Sequence, residues 1–177
     1  MMKCEIIRDL IPLYLDKVCS EDSRKLVEEH LAECSECRKY MKELEFLKEQ
    51  NVSEDLIHGV EEFRKNYGVD EAAAARVTRP SIPFYGKEIL EMAIAGLLEG
   101  ENLLLAGPKA TGKNILAENL AYAFGRPVYN VSFHVNTNSG DLIGTDTFVN
   151  NEVCLRKGSI YQCAEYGGFG ILDEINM

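Results

Sequence analysis

Gly107-Pro108-Lys109-Ala110-Thr111-Gly112-Lys113-Asn114 stands between the apolar stretch Asn102 to Ala106 and the helical pattern Ile115 to Phe124. A strand, a glycine-containing loop and a helix in this order form a site for the phosphates of a nucleoside triphosphate. Small or flexible residues at Gly107, Ala110 and Gly112 let backbone N–H groups turn toward phosphate oxygens, and Lys113 reaches the outer phosphates as a point charge. One position departs from the pattern. A Ser or Thr hydroxyl ordinarily follows the lysine and ligates magnesium, but here the residue is Asn114. Its amide oxygen is also a neutral hard ligand, sits farther out, and leaves open direct, water-mediated or lost contact with the ion.

Taken alone, the loop pattern also fits an ordinary glycine-rich turn. Gly167-Gly168-Phe169-Gly170-Ile171-Leu172-Asp173-Glu174 argues against that, because it is a short apolar strand ending in two acids. Such a strand presents one carboxylate to magnesium, Asp173, and one to the attacking water, Glu174. Around these motifs the chain alternates. A helix (Ile89, Leu90, Ala93, Leu97, Leu98), the loop strand, the loop helix, a strand over Val128 to Val135 and the acidic strand follow one another, which predicts an α/β unit with a parallel sheet.

Toward the N-terminus the pattern becomes helical. Ile6, Ile7, Leu10, Ile11, Tyr14 and Leu15 make one apolar stripe, and Ser20 caps a second helix with Glu21, Asp22 and Ser23 in its first turn. His30, Cys34 and Cys37 form HxxxCxxC. On a continuous helix these three stand on one face at successive turns and converge on one ion. Zinc prefers four such ligands in a tetrahedron. Cys4, at the start of the preceding helix, is the natural fourth if the two helices pack antiparallel, with Cys19 at the turn as its rival. A module this short buries little core, so metal would supply much of its stability. The expected organisation is a helical zinc-binding module over 1–50, a connector over 51–79 with a helix near Ile57 to Asn66, and a nucleotide-binding core over 80–177.

Composition narrows the function classes. The chain has 177 residues, 46% apolar and 27% charged, and a net charge of -10. It offers no broad basic surface for a nucleic-acid backbone, so direct nucleic-acid binding is not expected. No apolar run is long enough to cross a bilayer, and Glu5, Arg8, Asp9 and Asp16 interrupt any secretory core near the N-terminus. A cytoplasmic protein with protein partners is expected. In that compartment six cysteines are metal ligands or free thiols, with Cys154 and Cys163 as plain buried or edge residues.

Cys4, the run Asp9-Leu10-Ile11-Pro12-Leu13-Tyr14-Leu15-Asp16, and the run Glu28-Glu29-His30-Leu31-Ala32-Glu33-Cys34-Ser35-Glu36-Cys37 resemble the zinc-finger domain of bacterial zinc-containing anti-sigma factors. That resemblance implies a helical zinc module that grips a sigma factor, in some members with thiol oxidation releasing metal and partner. Residues from about Pro80 to Met177 resemble the AAA+ ATPases of the MoxR-like, dynein-related branch. The resemblance rests on Gly107 to Asn114, on Ser139-Gly140-Asp141-Leu142-Ile143-Gly144-Thr145-Asp146-Thr147-Phe148, and on Gly167 to Met177.

This second resemblance implies that the loop Gly107, Pro108, Lys109, Ala110, Thr111, Gly112, Lys113 and Asn114 binds ATP, with Lys113 on the β- and γ-phosphates. Asp173 and Asn114 would serve magnesium, Glu174 would polarise water, and Tyr85 and Gly86 would lie near the adenine. It also implies a hairpin insertion over Asn150 to Arg156 and a loop over Leu142 to Phe148 facing a ring pore or substrate. His134 is expected to be a packed or hydrogen-bonded histidine on a strand.

The family continues past the acidic strand with a sensor strand, an arginine finger and a helical lid. A chain ending at Met177 is therefore expected to be truncated after its Walker B motif, leaving an unpaired position in its sheet, with a complete form that works as a ring, a hexamer. The implied function is an ATPase (ATP and water to ADP and phosphate) that remodels a client protein recruited by the zinc module. The alternative is a zinc-dependent, anti-sigma-like binding protein whose nucleotide half is a switch or vestigial. Cys4, Cys34 and Cys37 further permit redox sensing.

Overall fold

The computed structural model describes residues 4–149 and 152–175. Three helices come first: α1 (Cys4–Leu15), α2 (Glu21–Glu33) and α3 (Ser35–Glu49). In α1 the i, i+4 pair Ile7 and Ile11 is fully buried, whereas Ile6 of the expected stripe is half exposed. Ser20 caps α2 as its sequence predicts, its hydroxyl accepting from the Ser23 N–H at 3.2 Å. The chain then continues through α4 (Glu54–Asn66), the short α5 (Glu71–Ala74) and α6 (Lys87–Leu98) to α7 (Lys113–Ala123), which follows the glycine loop.

Four of these helices, α1, α3, α6 and α7, stop in the same way. A residue with positive φ follows each (Lys17, Asn51, Gly100 and Gly125). In each case its N–H bonds three residues back and the next N–H bonds five residues back, as Val18 does to Leu13 and Arg126 to Ala121. This satisfies carbonyls that the helix end would otherwise leave open.

The α/β part follows with β1 (Val128–Ser132), α8 (Ser139–Leu142), β2 (Gly144–Val149), β3 (Glu152–Lys157), α9 (Ser159–Tyr166) and β4 (Phe169–Asp173). β1 and β4 pair in parallel, with Val128 opposite Phe169 and Ser132 opposite Asp173, so the acidic end of β4 lies level with the end of β1. β2 and β3 form an antiparallel hairpin, with Gly144 opposite Lys157 and Val149 opposite Glu152. The expected loop over 142–148 is thus largely the first strand of that hairpin, and two residues of the expected insertion, Asn150 and Asn151, lie outside the described residues.

A second correction concerns Asn102 to Ala106. These residues form no strand, because they have no ladder partner among the described residues. Their exposure still alternates: Leu103 and Leu105 are half-buried against the core, and Leu104 is 78% exposed. The segment keeps the period of a strand without the neighbour that would make it one.

The molecule is thus a helical N-terminal region followed by α/β structure with a parallel two-stranded sheet. One continuous core crosses both parts. It runs from Ile7, Ile11, Val27 and Leu31 through Tyr40, Leu44 and Leu47 of α3 and Ile57 and Val60 of α4 to Leu90, Ile94, Leu116, Leu120 and Phe124. The stretch read as a connector therefore supplies a core helix. No described helix is long and apolar enough to cross a membrane.

Candidate functional site: a Cys3His cluster and a phosphate loop

The sulfurs of Cys4, Cys34 and Cys37 and a ring nitrogen of His30 all lie within 4.8 Å of one another. Cys4 opens α1, His30 sits in the last turn of α2, and Cys37 is in the first turn of α3. The three-on-one-helix picture is corrected here. α2 ends at Glu33, and Cys34, with φ -100° and ψ 109°, is the extended residue between two helices. The break turns Cys37 back toward His30, giving Nε2 to Sγ 3.3 Å, while Cys4 Sγ to Cys34 Sγ is 3.9 Å. Zinc bonds of about 2.3 Å to sulfur and about 2.0 Å to nitrogen, arranged tetrahedrally, give edges of about 3.8 Å and about 3.5 Å. The donor set therefore fits zinc in chemistry and in spacing. Cys19 is outside the cluster, and Cys4 is its fourth member.

The thiols of Cys34 and Cys37, at the start of α3, differ electrostatically. The Cys37 N–H, first, and that of Glu36 bear on the Cys34 sulfur and hold its pKa below the ordinary thiol value, although no full capping bond forms. Cys37 is fully buried, and burial, with its contact to Cys34, pushes its thiol up to about 12.

At the loop, φ is positive at Gly107, Ala110 and Gly112, and Gly112 at +84° is the residue from which α7 departs. The Lys113 ammonium folds over the loop and donates to the carbonyls of Gly107 at 3.1 Å and Pro108 at 2.6 Å. Thr111 Oγ1 donates to the Pro108 carbonyl at 2.9 Å. Asn114 Nδ2 donates to Asp173 Oδ2 at 3.0 Å, so the start of α7 meets the acidic end of β4. Asp173 Oδ1 accepts from the Glu174 N–H at 2.9 Å, and Glu174 has a φ of +58°.

Tyr85 is 87% exposed and Gly86 caps α6. Both are held near the loop by the preceding Phe84, whose ring lies 3.8 Å from where a Cβ on Gly112 would be. His134 is not on a strand. It follows β1, its Nδ1 accepting from the Asn136 N–H at 3.2 Å and its own N–H donating to Thr137 Oγ1. Cys154 is exposed on β3, and Cys163 is half-buried.

Sequence reasoning missed two features of the surroundings. Asn119, fully buried on α7, accepts from the Phe84 N–H at 3.0 Å and donates to the carbonyls of Ile82 and Ile115. It fixes the Phe84 segment beside the loop, and its signal was a polar residue on the core side of an apolar helix pattern. The second is an ion pair of Glu43 on α3, buried, with Arg64 on α4, largely buried. Its partners are 21 residues apart, beyond what local spacing reveals.

Comparison with known proteins agrees with this geometry. Residues 4–38 match the family described as "Putative zinc-finger", and residues 102–177 match the AAA domain of the dynein-related subfamily. Over 37 residues the chain is 49% identical to the anti-sigma-YlaC factor YlaD of Bacillus subtilis, covering 21% of this chain and 38% of that one. It is 36% identical over 93 residues to uncharacterized protein YojN of the same organism, covering 50% of this chain and 31% of YojN. A Staphylococcus saprophyticus protein matches at 32% over 82 residues, 44% of this chain and 31% of its own. The chain spans about a third of the length of these curated relatives. No solved structure matches. Residues 4–38 are therefore similar to a zinc-finger module that is also found in an anti-sigma factor, and residues 102–177 to the dynein-related AAA domain.

Proposed function

We propose that the chain is the zinc-regulated, ATP-binding portion of a MoxR-like AAA+ ATPase, which in a ring, a hexamer, couples hydrolysis to remodelling a client protein. The observation that carries this reading is the Asn114 to Asp173 hydrogen bond, because it sets the helix that follows the phosphate loop against the end of the acidic strand. Lys113 would exchange its two loop carbonyls for the β- and γ-phosphates, and Tyr85 and Gly86 would border the adenine.

The donors near the loop fit magnesium, which usually takes one or two protein oxygens and fills its shell with phosphate and water. Asp173 would hold the ion, with its carboxylate oriented by Nδ2 of Asn114, and the amide oxygen of Asn114 would supply a neutral contact. When bound, magnesium neutralises charge on the leaving phosphates. Glu174 would accept a proton from the water that attacks the γ-phosphorus as its bond to the β-phosphate oxygen breaks, releasing ADP and phosphate. The domain division into 1–50, 51–79 and 80–177 and a cytoplasmic location belong to the same reading.

Calorimetric titration of magnesium-ATP into the chain, with Lys113→Ala beside it, tests the reading. Binding by the wild type that is lost in the variant is expected. No binding by either overturns it.

The similarity to YlaD favours a second reading, in which the zinc module holds a sigma factor and the nucleotide half acts as a switch. Stoichiometric copurification with a sigma factor, lost in Cys37→Ser, distinguishes it. Indifference of that complex to Cys37→Ser rejects it.

A further inference from the structure

α3 carries part of the metal cluster and packs on the helix that follows the phosphate loop. Its first turn carries Cys37 of the metal cluster, and its remaining turns bury Tyr40, Glu43, Leu44, Phe46 and Leu47. The Phe46 ring stands edge-on to Tyr122, centroids 5.1 Å apart and planes at 86°. Tyr122 lies on α7, the helix that begins with Lys113. A second connection runs through α4. Arg64 pairs with Glu43 of α3, and its guanidinium abuts the turn that ends α7: a Cβ on Gly125 would come within 2.6 Å of Arg64 Nη2. The cation thus sits at the negative end of the α7 dipole. From α7, Asn119 passes the constraint to Phe84 beside the loop.

We propose that occupancy of the Cys4, His30, Cys34 and Cys37 cluster by zinc and occupancy of the phosphate loop by nucleotide are thermodynamically linked through α3 and α7, each ligand raising the affinity for the other. The linkage rests on the nucleotide-binding reading above. Its physical basis is the shared core. A helix of 15 residues such as α3 is marginal by itself. The metal ties its start to α1 and α2, and its buried residues then present a fixed surface to α7. A ligand that binds only the ordered arrangement stabilises it, and a second ligand that needs the same arrangement meets a smaller ordering cost. Linkage of this kind is reciprocal.

The test uses the full chain, stripped of metal by a chelator or reloaded with zinc, and reads magnesium-ATP affinity by calorimetry and amide exchange across α7. Zinc removal is expected to weaken ATP binding about tenfold and to speed exchange from Leu116 to Ala123. Reciprocally, ATP should tighten zinc about tenfold when zinc is measured by competition with a chelator. That arm starts from folded, loaded protein and decides the matter even if the stripped chain loses its structure. In Phe46→Leu/Tyr122→Leu, which keeps both positions apolar but loses the aromatic contact, zinc should still bind while the mutual effect shrinks to within about twofold. Equal zinc affinity with and without ATP in the wild type, where ATP does bind, overturns the linkage alone. Absence of ATP binding even to the zinc-loaded chain overturns the nucleotide reading and the linkage with it.

Discussion

Substituting Glu43 by Gln leaves the Arg64 guanidinium buried without its counter-charge. The side chains of Arg64 and Glu43 are only 11% and 3% exposed. Burial, ahead of any neighbouring charge, lowers Arg64 to about 10, so it remains a cation at neutral pH. The pair is incompletely satisfied, since Glu43 Oε1, Arg64 Nη1 and the Tyr40 hydroxyl have no hydrogen-bond partner. What supports Arg64 besides Glu43 is the Tyr40 ring, 4.9 Å from the guanidinium to the centroid.

Breaking a buried pair from one side costs about 3–5 kcal/mol. With an unfolding entropy of about 2.1 cal/mol/K per residue, the 177-residue chain should lose roughly 8–13 °C in midpoint. Replacing both partners by apolar residues, Glu43→Leu with Arg64→Met, should restore the midpoint to within about 3 °C of the wild type, because both desolvation costs disappear together. Thermal unfolding of the zinc-loaded protein, followed by far-ultraviolet circular dichroism, gives both numbers. A Glu43→Gln midpoint equal to that of the wild type would refute the reasoning. So would a double variant as unstable as the sum of its singles.

Cys37→Ser should abolish stoichiometric zinc retention while Cys19→Ser leaves it at one ion per chain, as read by metal analysis after gel filtration; equal loss in both would contradict the cluster. Burial, opposed first by His58, holds the Glu61 carboxyl above its ordinary value, so the folded state binds the extra proton and stability falls as pH rises through the raised pKa. Glu61→Gln should therefore raise the midpoint near neutral pH, with the gain vanishing by about pH 4; a variant less stable at neutral pH would be inconsistent with that sign. Asn119→Leu strips three hydrogen bonds from the segment beside the loop. At about 1–3 kcal/mol for the groups left unpaired it should lower the midpoint by roughly 3–8 °C, and an unchanged midpoint would show that these groups find other partners.

Short-range spacing was the readable part of this chain. The HxxxCxxC run with Cys4 names the four side chains that the structure brings together, and the loop and the acidic strand name Asn114 and Asp173, which it joins by a hydrogen bond, because residue type and short motifs single them out. Periodicity also found α2, α4, α6 and α7 and the Ser20 cap. The break at Cys34 escaped it, since helical spacing continues on both sides of the one extended residue between the two helices. That Asn102 to Ala106 form no strand escaped it for the opposite reason. Alternation is a local property and is present, whereas a strand is a relation to a neighbour.

The sequence by itself therefore determined the residue types of both candidate sites: a set of cysteines and a histidine of the kind that binds metal, and a loop of the phosphate-binding pattern. Only the tertiary structure decided that α3 reaches from one site to the helix of the other, with Phe46 on Tyr122 and Glu43 on Arg64. Ligand identity is written in residue type and short spacing, but contacts between distant helices are selected by how their apolar faces share one core, which no local pattern encodes.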